Sequence, residues 1–210
     1  MDIMTLINAF PGAIAQGLIW GIMAIGVYLT FRILDFADLT VDGSMCTGGA
    51  VCIMMMQAGY GVWPSMLAAT IAGMLTGLAT GVFHTFMGIP AILSGILTQL
   101  SLYSVNLKIM GKANQAISVG KYDLLVSLRY IKGVPFYQNT IFVVAVFIII
   151  MIAVLYWFFG TELGCAIRAT GCNSSMSRAQ GINTNFNKVL GLMISNGLVA
   201  LSSALLAQYQ

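Results

Sequence analysis

The stretch Thr140-Ile-Phe-Val-Val-Ala-Val-Phe-Ile-Ile-Ile-Met-Ile-Ala-Val-Leu-Tyr-Trp-Phe-Phe159 decides the fold. It carries no charge, and at helical rise about 20 apolar residues cross the hydrocarbon layer of a membrane. Its closing cluster, Tyr156-Trp157-Phe158-Phe159, suits a membrane–water interface, where amphipathic rings settle. Five further apolar blocks flank it, at about 10–31, 44–57, 63–87, 91–110 and 189–207. The chain is 59% hydrophobic and 7% charged, against about a quarter charged in a soluble domain. The expected fold is therefore all-α, a polytopic transmembrane bundle of about six hydrophobic segments within one domain, 1–210.

The blocks differ in what they need from their neighbours. Block 10–31 holds Gly17 and Gly21, and block 63–87 holds Gly73, Gly77 and Gly81; small residues four apart let a second helix approach closely in lipid. Block 44–57 is short and follows an acidic stretch, which predicts a broken or re-entrant helix. Block 91–110 mixes Ser94, Thr98, Gln99, Ser101 and Asn106 among apolar residues, and such positions face helices or water in preference to lipid. Residues 111–139 read as an extramembrane loop, with Lys112, Lys121, Asp123, Arg129 and Lys132. Five crossings before residue 160 place segment 160–188 opposite the amino terminus. A re-entrant second block would flip that parity.

The amino terminus, with Asp2 and no basic leader or cleavage pattern, reads as a retained helix and not a removed signal. Cys46, Cys52, Cys165 and Cys172 form no Cys-x-x-Cys pair and have no His cluster nearby, so they read as small apolar fillers and no metal site is expected. The net charge of +3 is gathered in loops without a basic stripe, which gives no support to nucleic-acid binding. The single histidine, His84, has no carboxylate in its span and reads as a hydrogen-bonded or interfacial group. No phosphate loop, nucleophile elbow or dinucleotide fingerprint occurs, so the chain is not expected to be an enzyme.

Two segments carry chemistry. In the first, Asp35, Asp38 and Asp42 stand beside the interrupted span with one cation, Arg32. Charge there is costly and points to a gating or path-lining role; the plainer alternative is a polar turn with Asp38, Thr40 or Asp42 capping the next helix. In the second, residues 160–185, Asn173 can cap a short helix and Gly181 can end it in a left-handed conformation. Such a helix would project Arg168 and Arg178 from the membrane surface, and the plainer alternative is a basic loop obeying the positive-inside rule.

The pattern Leu163-Gly-x-x-Ile-Arg-Ala-Thr-Gly-x-Asn173 followed by Arg178-Ala-x-Gly-Ile-Asn183 resembles the cytoplasmic coupling loop of permeases in the branched-chain amino acid and ribose class of ABC importers. The run Arg32-Ile-Leu-Asp-Phe-x-Asp-Leu-Thr-Val-Asp-Gly-Ser44, together with Ser94-Gly-Ile-Leu-Thr98 and Leu102-Tyr-Ser-Val-Asn-Leu-Lys-Ile-Met-Gly111, is similar to a subgroup that imports aromatic amino acids. Ala37 stands where that subgroup has Pro, and Ser174-Ser175 where the family has Pro and an acidic residue.

The resemblance implies a permease subunit that moves a small solute, an amino acid, by alternating access in the bacterial inner membrane. It implies a cytoplasmic ABC ATPase dimer, a second and identical permease subunit and an extracytoplasmic solute-binding protein as partners. No cofactor is then held by this chain, since ATP and magnesium belong to the ATPase. Glu162, Gly164, Arg168, Ala169, Gly171, Asn173, Arg178, Ala179, Gly181 and Ile182 would form the coupling surface. Asp35, Asp38, Thr40, Asp42, Ser44, Ser94, Thr98, Gln99 and Asn106 would line the path. Family members carry several more spans, so the chain is expected to be a fragment or a short form. The competing reading is an ATP-independent channel or secondary transporter, for which the spans carry few ionisable residues.

Overall fold

The computed structural model describes residues 3–112, 126 and 140–209, the first seven of these as backbone only. The predicted loop 111–139 therefore falls almost wholly outside the described residues. Among the described residues there are eight α-helices and no strand: α1 Ile3–Tyr28, α2 Val41–Gln57, α3 Val62–Thr85, α4 Ala91–Met110, α5 Thr140–Gly160, α6 Glu162–Cys172, α7 Ser174–Ala179 and α8 Thr184–Tyr209. A π-helical turn, Leu29–Ile33, extends α1. Four helical segments, Phe10–Ile33, Val62–Thr85, Thr140–Gly160 and Thr184–Tyr209, are long and apolar enough to cross a membrane. The other two predicted blocks form helices that fall short of that standard: α2 has 17 residues, and the 20 residues of α4 are diluted by polar side chains.

Helix α8 is the axis of the bundle, with 56% of its spanning window buried against 11% for α5. Its neighbours are set by small residues. A Cβ at Gly73 would overlap Ala200 Cβ, one at Gly77 would overlap the Leu192 carbonyl, and one at Gly81 would lie 3.0 Å from Val189 Cα. The α3 numbers rise as the α8 numbers fall, so the two run antiparallel with their backbones in contact, the arrangement that glycines four apart permit in lipid. Ser44 and Cys52 of α2 meet Asn196 and Ala204 in rising order, so α2 runs parallel to α8.

Helix α1 is fastened to α8 differently. Ser195, Ser202 and Tyr209 donate hydroxyl hydrogen bonds of 2.7 Å to the carbonyls of Gly26, Ile19 and Gly12. Donors and acceptors each recur every seven residues, the spacing at which two nearly antiparallel helices keep one seam in register. Interhelical hydrogen bonds of this kind are worth about 0.6 kcal/mol each within a membrane. The packing glycine of α1 is Gly26, 3.0 Å from Val199 Cγ2 for a built Cβ; the predicted pair Gly17 and Gly21 has no described residue within 4 Å. That pair sits on a face turned away from the bundle, and the spacing alone did not tell which face that was.

These pairings place the carboxyl ends of α1, α3 and α5 and the amino ends of α2, α4 and α8 on one side, together with α6 and α7. The second block is neither broken nor re-entrant: α2 is continuous from Val41 to Gln57 and runs on to the far side, where Cys52 meets Gln208, and the interruption lies before it, at residues 34–40. The parity that sets 160–183 opposite the start of α1 follows. Of the cysteines, Cys52 alone is a buried filler; Cys46, Cys165 and Cys172 are exposed, on helix faces turned from the core.

Candidate coupling and gating site

Segment 160–183 folds as two helices where the sequence predicted one. Thr161 caps α6, its hydroxyl accepting from the Gly164 N–H at 3.4 Å and donating to the Phe158 carbonyl at 2.6 Å. Asn173 breaks the chain in an extended conformation and caps α7, accepting from the Met176 N–H at 3.0 Å and the Ser175 hydroxyl at 2.7 Å. Gly181, at φ +83°, turns the chain back toward α8. Replacing Asn173 by alanine should cost α7 about 1 kcal/mol, read as roughly fivefold faster amide hydrogen exchange at residues 174–179 with α8 unchanged.

The face of this pair is small and basic. Glu162, Arg168, Asn173, Arg178, Ala179 and Gly181 are exposed, and Ala169 and Ile182 are half-buried. Arg178 is held by its Nη2 donating to Thr184 Oγ1 at 3.0 Å. Two of the predicted coupling residues point inward instead. A Cβ on Gly164 would overlap the Phe158 carbonyl, and one on Gly171 the Ile33 carbonyl, with Leu34 Cα at 3.0 Å. Gly171 thus lets α6 rest directly on the backbone where α1 breaks. Leu34, Phe36, Ile167 and Leu192 close an apolar cluster beneath that contact.

The break is also where the acidic segment lies. The chain leaves the π-turn through Leu34 N–H to Leu29 O and Phe36 N–H to Thr30 O, both 3.0 Å, and passes Asp35 at φ +52°, a left-handed conformation strained for a non-glycine residue. Asp38, 2% exposed, then ties the link to the bundle. One carboxylate oxygen accepts from the Thr40 N–H at 2.8 Å, the other from Asn196 Nδ2 at 2.7 Å. Ser44 donates to Asn196 Oδ1. Thr40 Oγ1 meets Thr80 Oγ1 at 2.7 Å, and Thr80 donates to Thr98 Oγ1 at 3.0 Å. One buried chain of hydrogen bonds therefore joins the link, α2, α3, α4 and α8. A fully satisfied network of this kind rigidifies what it connects.

The predicted path residues separate accordingly. Asp38, Thr40, Ser44 and Thr98 belong to this network, and Ser94 is buried with its hydroxyl on the Ala91 carbonyl at 2.8 Å. Asp35 and Asp42 are exposed and Gln99 half-buried. Asn106 is buried against Gly43, and its Oδ1 has no hydrogen-bond partner among the described residues. Asp38 sets the turn before α2; neither Thr40 nor Asp42 provides a side-chain cap. His84 is hydrogen-bonded, its Nδ1 lying 2.9 Å from the Ile89 carbonyl, with Lys188 Nζ 3.5 Å from Nε2 and the Phe36 ring edge-on at 5.0 Å. Among the described residues no group of three His, Cys, Asp or Glu side chains could hold a metal ion. Asn196 and Thr80, central to the network, were missed from the sequence. The signal for Asn196 was available, a polar amide midway along an apolar span.

The sequence model of the branched-chain amino acid transport system permease component matches residues 11–210. The chain belongs to this permease family. Among the similar proteins, a tyrosine transport system permease of Clostridioides difficile is 40% identical to this permease over 92% of its residues and 62% of the relative's. An uncharacterized protein of Rickettsia prowazekii is 34% identical over 96% of this chain and 68% of its own. A fructose import permease of Bifidobacterium longum is 29% identical over 79% and 46%. The permease described here thus spans less than two thirds of the first relative's length. No solved structure matches it.

Proposed function

We propose that this permease forms part of the membrane passage of a bacterial ABC importer, with a separate ATPase docking on α6 and α7 and an amino acid as cargo. The observation that carries the reading is the seat of α6 on the break in α1. A two-helix knob outside the spans touches the bundle, through Gly171, at the interrupted segment that the hydrogen-bonded network ties to α2, α3, α4 and α8. Force applied to the knob by closure of the ATPase passes to residues 34–40 and, through the hydrogen-bonded network, to α2, α3, α4 and α8 together. The exposed arginines Arg168 and Arg178 supply the docking charge.

In this reading α6 and α7 face the cytoplasm of the inner-membrane cell, and the start of α1 lies outside. A second copy of the permease completes the passage, a solute-binding protein delivers cargo from the far side, and ATP and magnesium bind to the ATPase alone. The amino acid cargo is favoured by the likeness to the tyrosine permease over the weaker likeness to the fructose permease. The site performs no covalent chemistry.

Co-purification of the detergent-extracted chain with a candidate ABC ATPase tests the docking. Arg168→Glu should weaken the complex at least about tenfold, since a reversed charge at a charged contact costs several kcal/mol. Gly171→Ala should leave the complex intact but uncouple it, with ATP hydrolysed and little solute taken up. Equal capture of the native and Arg168→Glu chains would sink the docking assignment, and uptake persisting in cells without the ATPase would sink the importer reading.

A further inference from the structure

The elbow where α5 meets α6 opens a cleft of about 520 Å³ lined by Tyr156, Trp157, Phe159, Gly160, Thr161 and Arg168. A second cleft, of about 540 Å³, runs along the outer face between α3, α5 and α8, with Phe147, Met151, Val154, Ile194 and Leu198 in its wall. Trp157 stands in the wall of both clefts. The two differ in chemistry. The long cleft is apolar almost throughout; the elbow holds the Thr161 hydroxyl and a guanidinium whose hydrogen bond goes to Cys165 Sγ at 3.2 Å and which no carboxylate among the described residues neutralises.

We infer that this pair of clefts binds one anionic glycerophospholipid, its phosphate at Arg168 and one acyl chain in the groove between α3, α5 and α8. Length supports the assignment: from Trp157 to Phe147 is ten residues of α5, about 15 Å at helical rise, or half of a hydrocarbon core of about 30 Å. The groove therefore spans one leaflet, and the charge lies where that leaflet's headgroups lie. Tyr156 and Trp157, 85% and 72% exposed, sit at the depth where amphipathic rings prefer the interface. The anion is selected by Arg168, because a basic residue near the surface contributes about 1 kcal/mol toward acidic lipid. The inference needs only membrane embedding and is independent of ATPase docking, although the two would share Arg168.

Native mass spectrometry of the chain released from nanodiscs of phosphatidylglycerol or phosphatidylcholine tests it, with no ATPase present. The native chain should retain one phosphatidylglycerol about fivefold more than phosphatidylcholine. Arg168→Gln, on an exposed side chain, should erase that preference while keeping some lipid; Val154→Trp, which fills the groove, should lose both lipids with helicity unchanged by circular dichroism. Equal retention of the two lipids by the native chain, or retention untouched by both substitutions, overturns the site. So does a lipid-free native chain, whose groove would then be left to another helix or a second copy.

Discussion

Gly77→Leu is expected to unseat α3 from α8 and leave no folded protein to purify. At this position even a methyl group overlaps the Leu192 carbonyl, with the Leu192 carbonyl carbon at 2.7 Å and Met193 Cα at 3.0 Å. Every obstacle is backbone, so no rotamer change relieves the clash and the helices must separate. Overpacking a core costs about 1–3 kcal/mol when side chains can shift, and here they cannot, so Gly77→Ala alone should reach the upper end of that range. Separation also strips the neighbouring contacts at Gly73 and Gly81 that share the seam. Gly17→Leu is the matched control: with no described residue within 4 Å, it should change stability by less than about 0.5 kcal/mol. Fluorescence size-exclusion of detergent extracts before and after heating reads both, Gly77→Leu as a missing peak and Gly17→Leu as an unshifted melt. A Gly77→Leu chain that melts with the native protein would disprove the backbone contact.

The second large effect is expected at Asp38. Replacing it with asparagine keeps the volume but puts an amide NH₂ where the carboxylate accepted either the Thr40 N–H or Asn196 Nδ2. Two donors then face each other in a site 2% exposed, and a buried donor left unpaired costs about 1–3 kcal/mol. Solute uptake should fall further than stability when the amide NH₂ faces Asn196, because the bond that ties the break to α8 is then the one lost. Exchanging the partners, Asp38→Asn with Asn196→Asp, restores a donor opposite an acceptor and still leaves an acceptor for the Ser44 hydroxyl. The double variant should recover most of the lost stability, a coupling of about 1–3 kcal/mol in a double-mutant cycle. Additive losses would mean that the two residues do not act through their mutual bond.

The bundle was legible in the sequence because lipid imposes a coarse code. A run such as 140–159 has one stable fate in hydrocarbon, and the cap at Asn173 marks a helix start by local chemistry alone. What stayed hidden depends on which helix faces which. Glycines four apart occur in both α1 and α3, yet only the α3 set meets a neighbour within the described residues, while Gly26 and Gly48, outside any such pair, lie against α8. The candidate site divides the same way. The exposed arginines and the capped α7 could be read from the motif, since their partners, Cys165, Thr184 and Asn173, lie within a few residues in sequence. The inward turn of Gly164 and Gly171 could not, because it depends on where the end of α5 and the break in α1 come to lie. Polar residues such as Thr98 and Ser44 read as path lining, since polarity in a span signals a need for a partner and does not say whether that partner is solute, water or another helix.

The seven-residue ladder between α1 and α8 sets which parts of the molecule can yield. Three hydroxyl rungs, at Ser195, Ser202 and Tyr209, lock the two longest helices into a stator that neither slides nor rotates without breaking all of them. The ladder stops at Gly26, a few residues short of the π-turn, and a π-turn is a wider, less regular winding often found at functional positions. Compliance is thereby confined to the top of α1, directly under α6. In the coupling proposed above, a stroke delivered there would bend one hinge and not be dissipated along the mast.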